Sequence, residues 1–569
     1  MPFPKSFWTG KVNATASISG VMSSSFQGDL NLEISLGPAL QGENLSGSAA
    51  FPASTNKIGG SITGNFNGNV TSGDQSSQGS GTVNYVIGGT YDPKTHKISI
   101  NTAVVGMQAT GQHASPSGAS AVSINIGTPV AVLGTAPNAP PPPMSIGTTA
   151  SDPNNWVSDC APGAPNASQP ITLDLQQSGT QTIVQTFQDS IGLGLRTTTW
   201  NITLDPHQVT VEIDPTELDP TTKSPQATLT VTVSSNGQPA KMESVNLQIC
   251  TYLGGMSDDD THAPDGHLHD QRTDMCDHSS RPAGQLRDTN GLAGPSGNTY
   301  GADDYPLMAT TGLDGKITII YIPPQGGSVY ISGKDQITAS LATAPNTKDQ
   351  TDITTQVPDL SAAPGSSDGS GGGTYYFVSQ HGPTGHGFLF YGTDSTNQAL
   401  VQIANAFYNA QIACSNGAPA TNVLPAGYSP NPYNTDPLTN APRTYTTPGE
   451  PMKLRITAMS LPWGGSLDIG CGWNPPHHSH STGKVADLGW ADFQAPGAVP
   501  GPAWNMDLIY LLGAIILSTP GASMNVNYEG GDLDATLQHF SGKSVKSSGG
   551  TTIAGGAPTN AHFHVQFSA

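Results

Sequence analysis

The sequence predicts a multidomain, mainly β chain: an N-terminal β-sandwich or barrel, a second β domain, and a C-terminal α+β domain. Three observations carry this. Gly (68) and Pro (47) punctuate the chain, while charged residues make up only 11% of it, well under the ~25% of an average soluble domain and short of what helical bundles use. Apolar and polar residues alternate with period two over long stretches, with almost no helical period before the last third. At 569 residues the chain is too long for one core, and it divides at about 1–220, 221–360 and 374–569, with a Gly/Ser linker at 361–373.

Within residues 1–220, Thr82–Ile87, the turn Tyr91–His96 and Lys97–Ile100 read as a β-hairpin. The Gly-Ser-Asn segments around 58–81 read as loops, Pro140–Pro143 as a stiff polyproline spacer, and 150–168 as irregular chain. Thr198–Leu204 is a further strand. No motif in this region carries chemistry, and its role stays open.

In the second domain, Thr228–Val233 alternates as a half-buried strand and ends in the turn pair Asn236-Gly237. Val245–Ile249 is another strand, and Thr311–Lys316 turns into Ile317–Tyr321. This layout resembles the immunoglobulin-like modules of bacterial surface proteins, which implies a spacer or positioning role. The linker Gly365–Gly373 spells G-x-S-x-G at its start. A nucleophile elbow needs a strand before and a helix after, and neither flank supplies one.

Beyond the linker, Leu400, Ile403, Ala404 and Phe407 recur at helical spacing behind the N-cap candidates Thr393–Ser395. Met506–Leu517 is apolar all round and reads as a buried helix, with short strands about these two.

The net charge of −21 and the lack of any basic run exclude nucleic acid as the main partner. No apolar stretch reaches the ~18 residues of a membrane span. Met1–Trp8 lacks the apolar core of a signal peptide. The Ser/Thr/Asn/Gly texture places the chain outside the cytoplasm, extracellular or periplasmic, exported by a leader outside this sequence or by another route. Of five cysteines, Cys250 with Cys276 and Cys414 with Cys471 form two candidate disulfides and Cys160 is left over; five buried free thiols are the alternative.

Eight of the fifteen histidines fall in the last third. In the strand-like ending His562-Phe563-His564-Val565-Gln566-Phe567, residues two apart share a face. His562 and His564 then stand side by side over Phe563, Val565 and Phe567, one placed to bind a metal and the other to act beside it. A surface strand with two incidental histidines is the plainer alternative. His480 and Asp487 lie seven apart, which a straight strand would put on opposite faces; Thr482-Gly483 offers a turn that aims both at one point. Two His and one Asp suit Zn²⁺ and leave a fourth position for water, whose pKa zinc lowers to roughly 7.

Ser479-His480-x2-Gly483-x3-Asp487, followed by His562-x-His564, resembles the LAS-type zinc metallopeptidases, most of all the penicillin-insensitive murein endopeptidase branch. Ser460–Gly465 and His477 add to the likeness, which spans about residues 374–569. It implies a zinc metallopeptidase that cuts amide bonds in peptidoglycan stem peptides or crosslinks. His480, Asp487 and His564 would be the zinc ligands. His562 and His477 would be the catalytic candidates, His562 bonding the attacking water or the transition state and His477 lining the site. Three positions before His562, where that branch carries a further histidine, this chain has Thr559.

A different class of function is a non-catalytic surface or assembly protein that keeps a zinc-stabilised peptidase-like domain. Secretion machinery that delivers the peptidase as cargo, or a surface assembly, would be the further partner. His262, His267, His269 and His278 sit among seven aspartates from Asp258 to Asp277, in and just beyond the segment between Cys250 and Cys276, either an accessory metal site or, the preferred reading, a solvated loop. His381 and His386 edge the proposed cleft or serve only their own loop.

Overall fold

The computed structural model describes residues 5–36, 56–126, 170–188, 194–251, 282–288, 299–300, 307–326, 328–366, 371–378, 390–416, 418, 450–460, 463–465, 478–490, 493, 506–527, 540, 545–547 and 562–568. The polyproline spacer, 150–168, Cys160, the His/Asp-rich loop with Cys276, His381, His386, Cys471, His477 and Thr559 lie outside them. The described residues form a multidomain, mainly β architecture of several sheets.

The first body holds β1 (Lys5–Ile18), β2 (Met22–Ser35), β3 (Lys57–Ser72), β4 (Gln75–Asp92), β5 (Lys97–Ser115), β6 (Gly118–Ile126), β7 (Ile171–Asp174), β8 (Thr180–Gln188) and β9 (Leu195–Leu204). They make one nine-stranded sheet, ordered β6-β5-β4-β3-β2-β1-β9-β8, with β7 on β5. Tyr85 of β4 and Trp200 of β9 meet edge-on at 6.3 Å although three strands separate them in the sheet. The sheet is therefore rolled, with these rings and Phe26 in its interior. Across the seam, the Gln181 side chain of β8 bonds both the N–H and the C=O of Asp174 in β7, each at 2.8 Å.

The hairpin at Tyr91–His96 is present, with Asp92 opposite Lys97. The loops expected around 58–81 are instead the long strands β3 and β4. Gly73, at φ +58°, serves the β3–β4 turn, but Gly64 and Gly28 opposite it are set by space. A Cβ at Gly28 or Gly64 would stand 2.6 or 2.5 Å from Cζ of Phe26, so glycine is what lets that ring lie flat along the sheet.

The second body comprises β10 (His207–Asp214), β11 (Glu217–Leu218), β12 (Ala227–Ser235), β13 (Gln238–Pro239), β14 (Ser244–Thr251), β15 (Gln285–Asp288), β16 (Thr299–Tyr300), β17 (Leu307–Thr310) and β18 (Lys316–Ile322). It continues with β19 (Gln325–Gly326), β20 (Val329–Tyr330), β21 (Gly333–Leu341) and β22 (Lys348–Thr355). One sheet runs β10-β12-β18-β15-β16 with β13 on β12, the other β11-β22-β21-β14-β17. Leu229, Val231, Ile317 and Ile319 of the first share a buried core with Leu247, Ile337, Ala339 and Ile353 of the second. The Tyr321 hydroxyl donates to Asp335 across the two sheets at 2.5 Å. Asn236 and Gly237 both take positive φ, 50° and 74°, as the turn between β12 and β13 requires.

The first two bodies interlock. Buried Glu243 accepts the Ser6 hydroxyl at 2.5 Å and the Phe7 N–H at 2.6 Å. Trp8 lies on the His207 ring, with centroids 4.2 Å apart.

The third body contains β23 (Leu360–Ala362), β24 (Tyr375–Phe377), β25 (Tyr391–Thr393), α1 (Asp394–Ser415), β26 (Leu454–Ala458), β27 (Val485–Gly489), α2 (Met506–Ser518), β28 (Ala522–Asn527), β29 (Val545–Ser547) and β30 (His562–Phe567). Thr393 caps α1 by accepting the Thr396 N–H at 3.3 Å. Its face Leu400, Ile403, Ala404 and Phe407 is buried, as the spacing predicts, and α2 is the buried apolar helix. The main sheet is ordered β24-β26-β27-β30-β28-β29. Ile456, Leu488, Phe563 and Val565 face the helices in one core. The opposite face carries the candidate site.

Candidate metal centre

The site is built on two neighbouring central strands. Antiparallel pairing sets Asp487 of β27 directly opposite His564 of β30, and Gly489 opposite His562. Residues directly opposite share a face, so β30 presents His562 and His564 beside Asp487. Phe563 and Val565, both fully buried, anchor the strand from below, and Phe563 packs against Trp490 with centroids 4.4 Å apart.

His480 arrives from the other direction, on a 3-10 helix, His478–Thr482. Gly483, at φ +68°, turns the chain into β27. A Cβ there would come within 2.1 Å of Leu360 Cδ2, and its carbonyl accepts the Thr393 N–H at 3.0 Å. This is the reversal the Thr482-Gly483 pair predicts. It brings His480 and Asp487 together, both fully buried.

Around the carboxylate the distances are short. His564 Nδ1 is 2.7 Å from Asp487 Oδ1, His480 Nε2 is 3.2 Å from Oδ2, and His562 Nε2 is 3.5 Å from Oδ2. The His480 and His564 rings stand edge to face at 5.1 Å. Burial pushes the Asp487 carboxyl upward, but the charges of His480 and His562 and the bonds from His480 and His564 together outweigh it, holding it well below the usual carboxylate range.

One ligand atom each from His480, Asp487 and His564 lies within 4.8 Å of the others. Asp487 Oδ2 is fully buried, with the His480 and His562 imidazoles at 3.2 and 3.5 Å around it, and a buried carboxylate among imidazoles is a setting that a cation would satisfy. Two imidazole nitrogens and one carboxylate oxygen fit a divalent transition ion. The cluster is thus able to coordinate a divalent metal. His480 and Asp487 are sealed in the interior, whereas the side chains of His562 and His564 remain 9% and 13% exposed. The approach to the centre is from their side.

Sequence reasoning singles out His480, Asp487, His562 and His564, and the fold brings all four together; His477 lies outside the described residues. It misses the neighbours that register supplies. Arg455 of β26 stands opposite Gly489, and Asn525 of β28 opposite His564. A bulge at Thr457 resets β26 so that Ala458 meets Asp487, and the Thr457 hydroxyl donates to the Asp487 carbonyl at 3.2 Å. No family model matches this chain, and no curated protein matches it.

Proposed function

We propose that the third body is a zinc-dependent peptidoglycan hydrolase, a murein endopeptidase that cleaves stem-peptide or crosslink amide bonds outside the cytoplasm. The observation that carries the reading is a three-ligand His/Asp/His cluster with a further histidine, His562, beside it on the accessible side. A site built only for structure tends to close with a fourth protein ligand. The resemblance of the Ser479–Asp487 and His562–His564 motifs to LAS-type peptidases supports the substrate class.

In this reading His480, Asp487 and His564 hold the ion, and Asp487 offsets part of its charge. Bound zinc supplies Lewis acidity toward a carbonyl oxygen and lowers the pKa of water toward neutrality. His562, 3.5 Å from Asp487 Oδ2, is placed to hold a proton at Nε2 and pass it to the departing amine. The fully buried ligand side excludes water, which confines substrate to the face with His562, Asn525 and Arg455.

Purified peptidoglycan incubated with the full chain should release cleaved muropeptides, and His562→Ala should lose that release by roughly 10²–10⁴-fold, the usual worth of a proton-transfer group. Release unchanged in His562→Ala would remove its catalytic role. No release from any wall type would favour the non-catalytic surface protein.

A further inference from the structure

We infer that the second body is a working part of the metal centre: through Ser332 and Val357 it holds the strap Trp463–Gly465, and the strap holds the segment that carries His480. This rests on the metal reading of the site but not on peptidase activity.

The contacts run in an unbroken series. The Trp463 carbonyl accepts the Val357 N–H at 2.8 Å and the Ser332 hydroxyl at 3.0 Å. Two residues on, the Gly465 N–H donates to the Ser481 carbonyl at 2.8 Å, and Ser481 adjoins the ligand His480. Gly464 and Gly465 both adopt positive φ, +71° and +74°, which L side chains rarely take. They also have no room. A Cβ on Gly464 would lie 2.2 Å from Val357 Cγ2 and 2.9 Å from the Ser481 carbonyl oxygen. One on Gly465 would lie 2.3 Å from Ser332 Oγ and 2.8 Å from its backbone nitrogen. The strap is thus clamped between the sandwich on one side and the 3-10 helix on the other.

Leu360 of β23 packs on Gly483, so both ends of the His480 turn rest on residues supplied ahead of the main sheet of the third body. Asp487 and His564 need no such help, because strand pairing fixes them to each other. His480 is the ligand whose position depends on these contacts. Ser332, Val357, Gly464 and Gly465 are positioning residues.

The test uses the full chain and Co²⁺ as probe, with affinity measured by chelator competition and coordination read from the visible d–d spectrum. Ser332→Ala and Gly465→Ala should weaken Co²⁺ binding by roughly tenfold or more, the lower range for losing a group that orients a metal ligand, and alter the spectrum. Ile317→Val, a core substitution on the other sheet of the second body, should change neither. Ser332→Ala, the milder change, keeps the test valid if Gly465→Ala fails to fold. Wild-type affinity and spectrum in Ser332→Ala would overturn the inference and leave the metal site standing. An equal loss in Ile317→Val would overturn it too, since general loosening would then suffice. No Co²⁺ binding by the wild type would overturn both this inference and the site beneath it.

Discussion

Replacing Gly483 by alanine tests the turn that brings His480 to Asp487. The left-handed backbone at φ +68° costs an L-residue roughly 1–2 kcal/mol. The new Cβ would stand 2.1 Å from Leu360 Cδ2 but 3.4 Å from its Cγ, so the leucine tip can yield by leaving its rotamer, at about 0.5–1.5 kcal/mol. The expected loss is about 2–3 kcal/mol. In a Leu360→Ala background only the backbone part remains, so the two substitutions should be non-additive by about 1 kcal/mol. Hydrogen exchange of the β27 amides reads the opening of this segment within a multidomain chain, where a single global unfolding energy is ill defined. Full protection in Gly483→Ala, or the same loss in both backgrounds, would refute the reasoning.

Three further outcomes follow from the packing. Phe563→Ala removes a fully buried ring beneath the two histidines and should cost about 3–5 kcal/mol, whereas exposed Gln566→Ala on the same strand should stay within about 0.5 kcal/mol; exchange of the β30 amides compares them. Because the folded Asp487 carboxyl sits below its unfolded value, the stability it contributes is present above the ordinary value of about 3.9 and is lost as pH falls through the folded value. Denaturation midpoints of the chelator-treated protein should show that acid limb, and Asp487→Asn should shrink it. Glu243→Ala leaves the Ser6 hydroxyl and the Phe7 N–H without their buried acceptor, at about 1–3 kcal/mol each; faster exchange at Phe7 than in Glu243→Gln is the expected sign.

Where local chemistry decides an element, the sequence is readable. The Thr393 cap, the Asn236-Gly237 turn and the alternating strands of the second body all sit where their residues predict. Glycine misleads in β3 and β4, because its usual meaning is a turn, whereas Gly64 makes room for the Phe26 ring on β2 and Gly81 for the Gln108–Ala109 backbone of β5. The metal cluster is legible because its parts lie within two short segments and a Thr-Gly turn. Arg455 and Asn525 are not, since their place beside the site comes from register and from a bulge at Thr457. Nor does Trp463-Gly464-Gly465 reveal by itself that Ser332 and Val357, more than a hundred residues earlier, require both glycines.

The most direct measurement is metal content. The full chain, His480→Ala, His564→Ala and His562→Ala would be purified in parallel and analysed for bound divalent ions by mass spectrometry and elemental analysis. The expected result is a single zinc per chain in the wild type and in His562→Ala, with none retained in His480→Ala or His564→Ala. A wild type that holds no divalent ion, or metal that survives both ligand substitutions, would contradict the assignment of His480, Asp487 and His564 as its ligands.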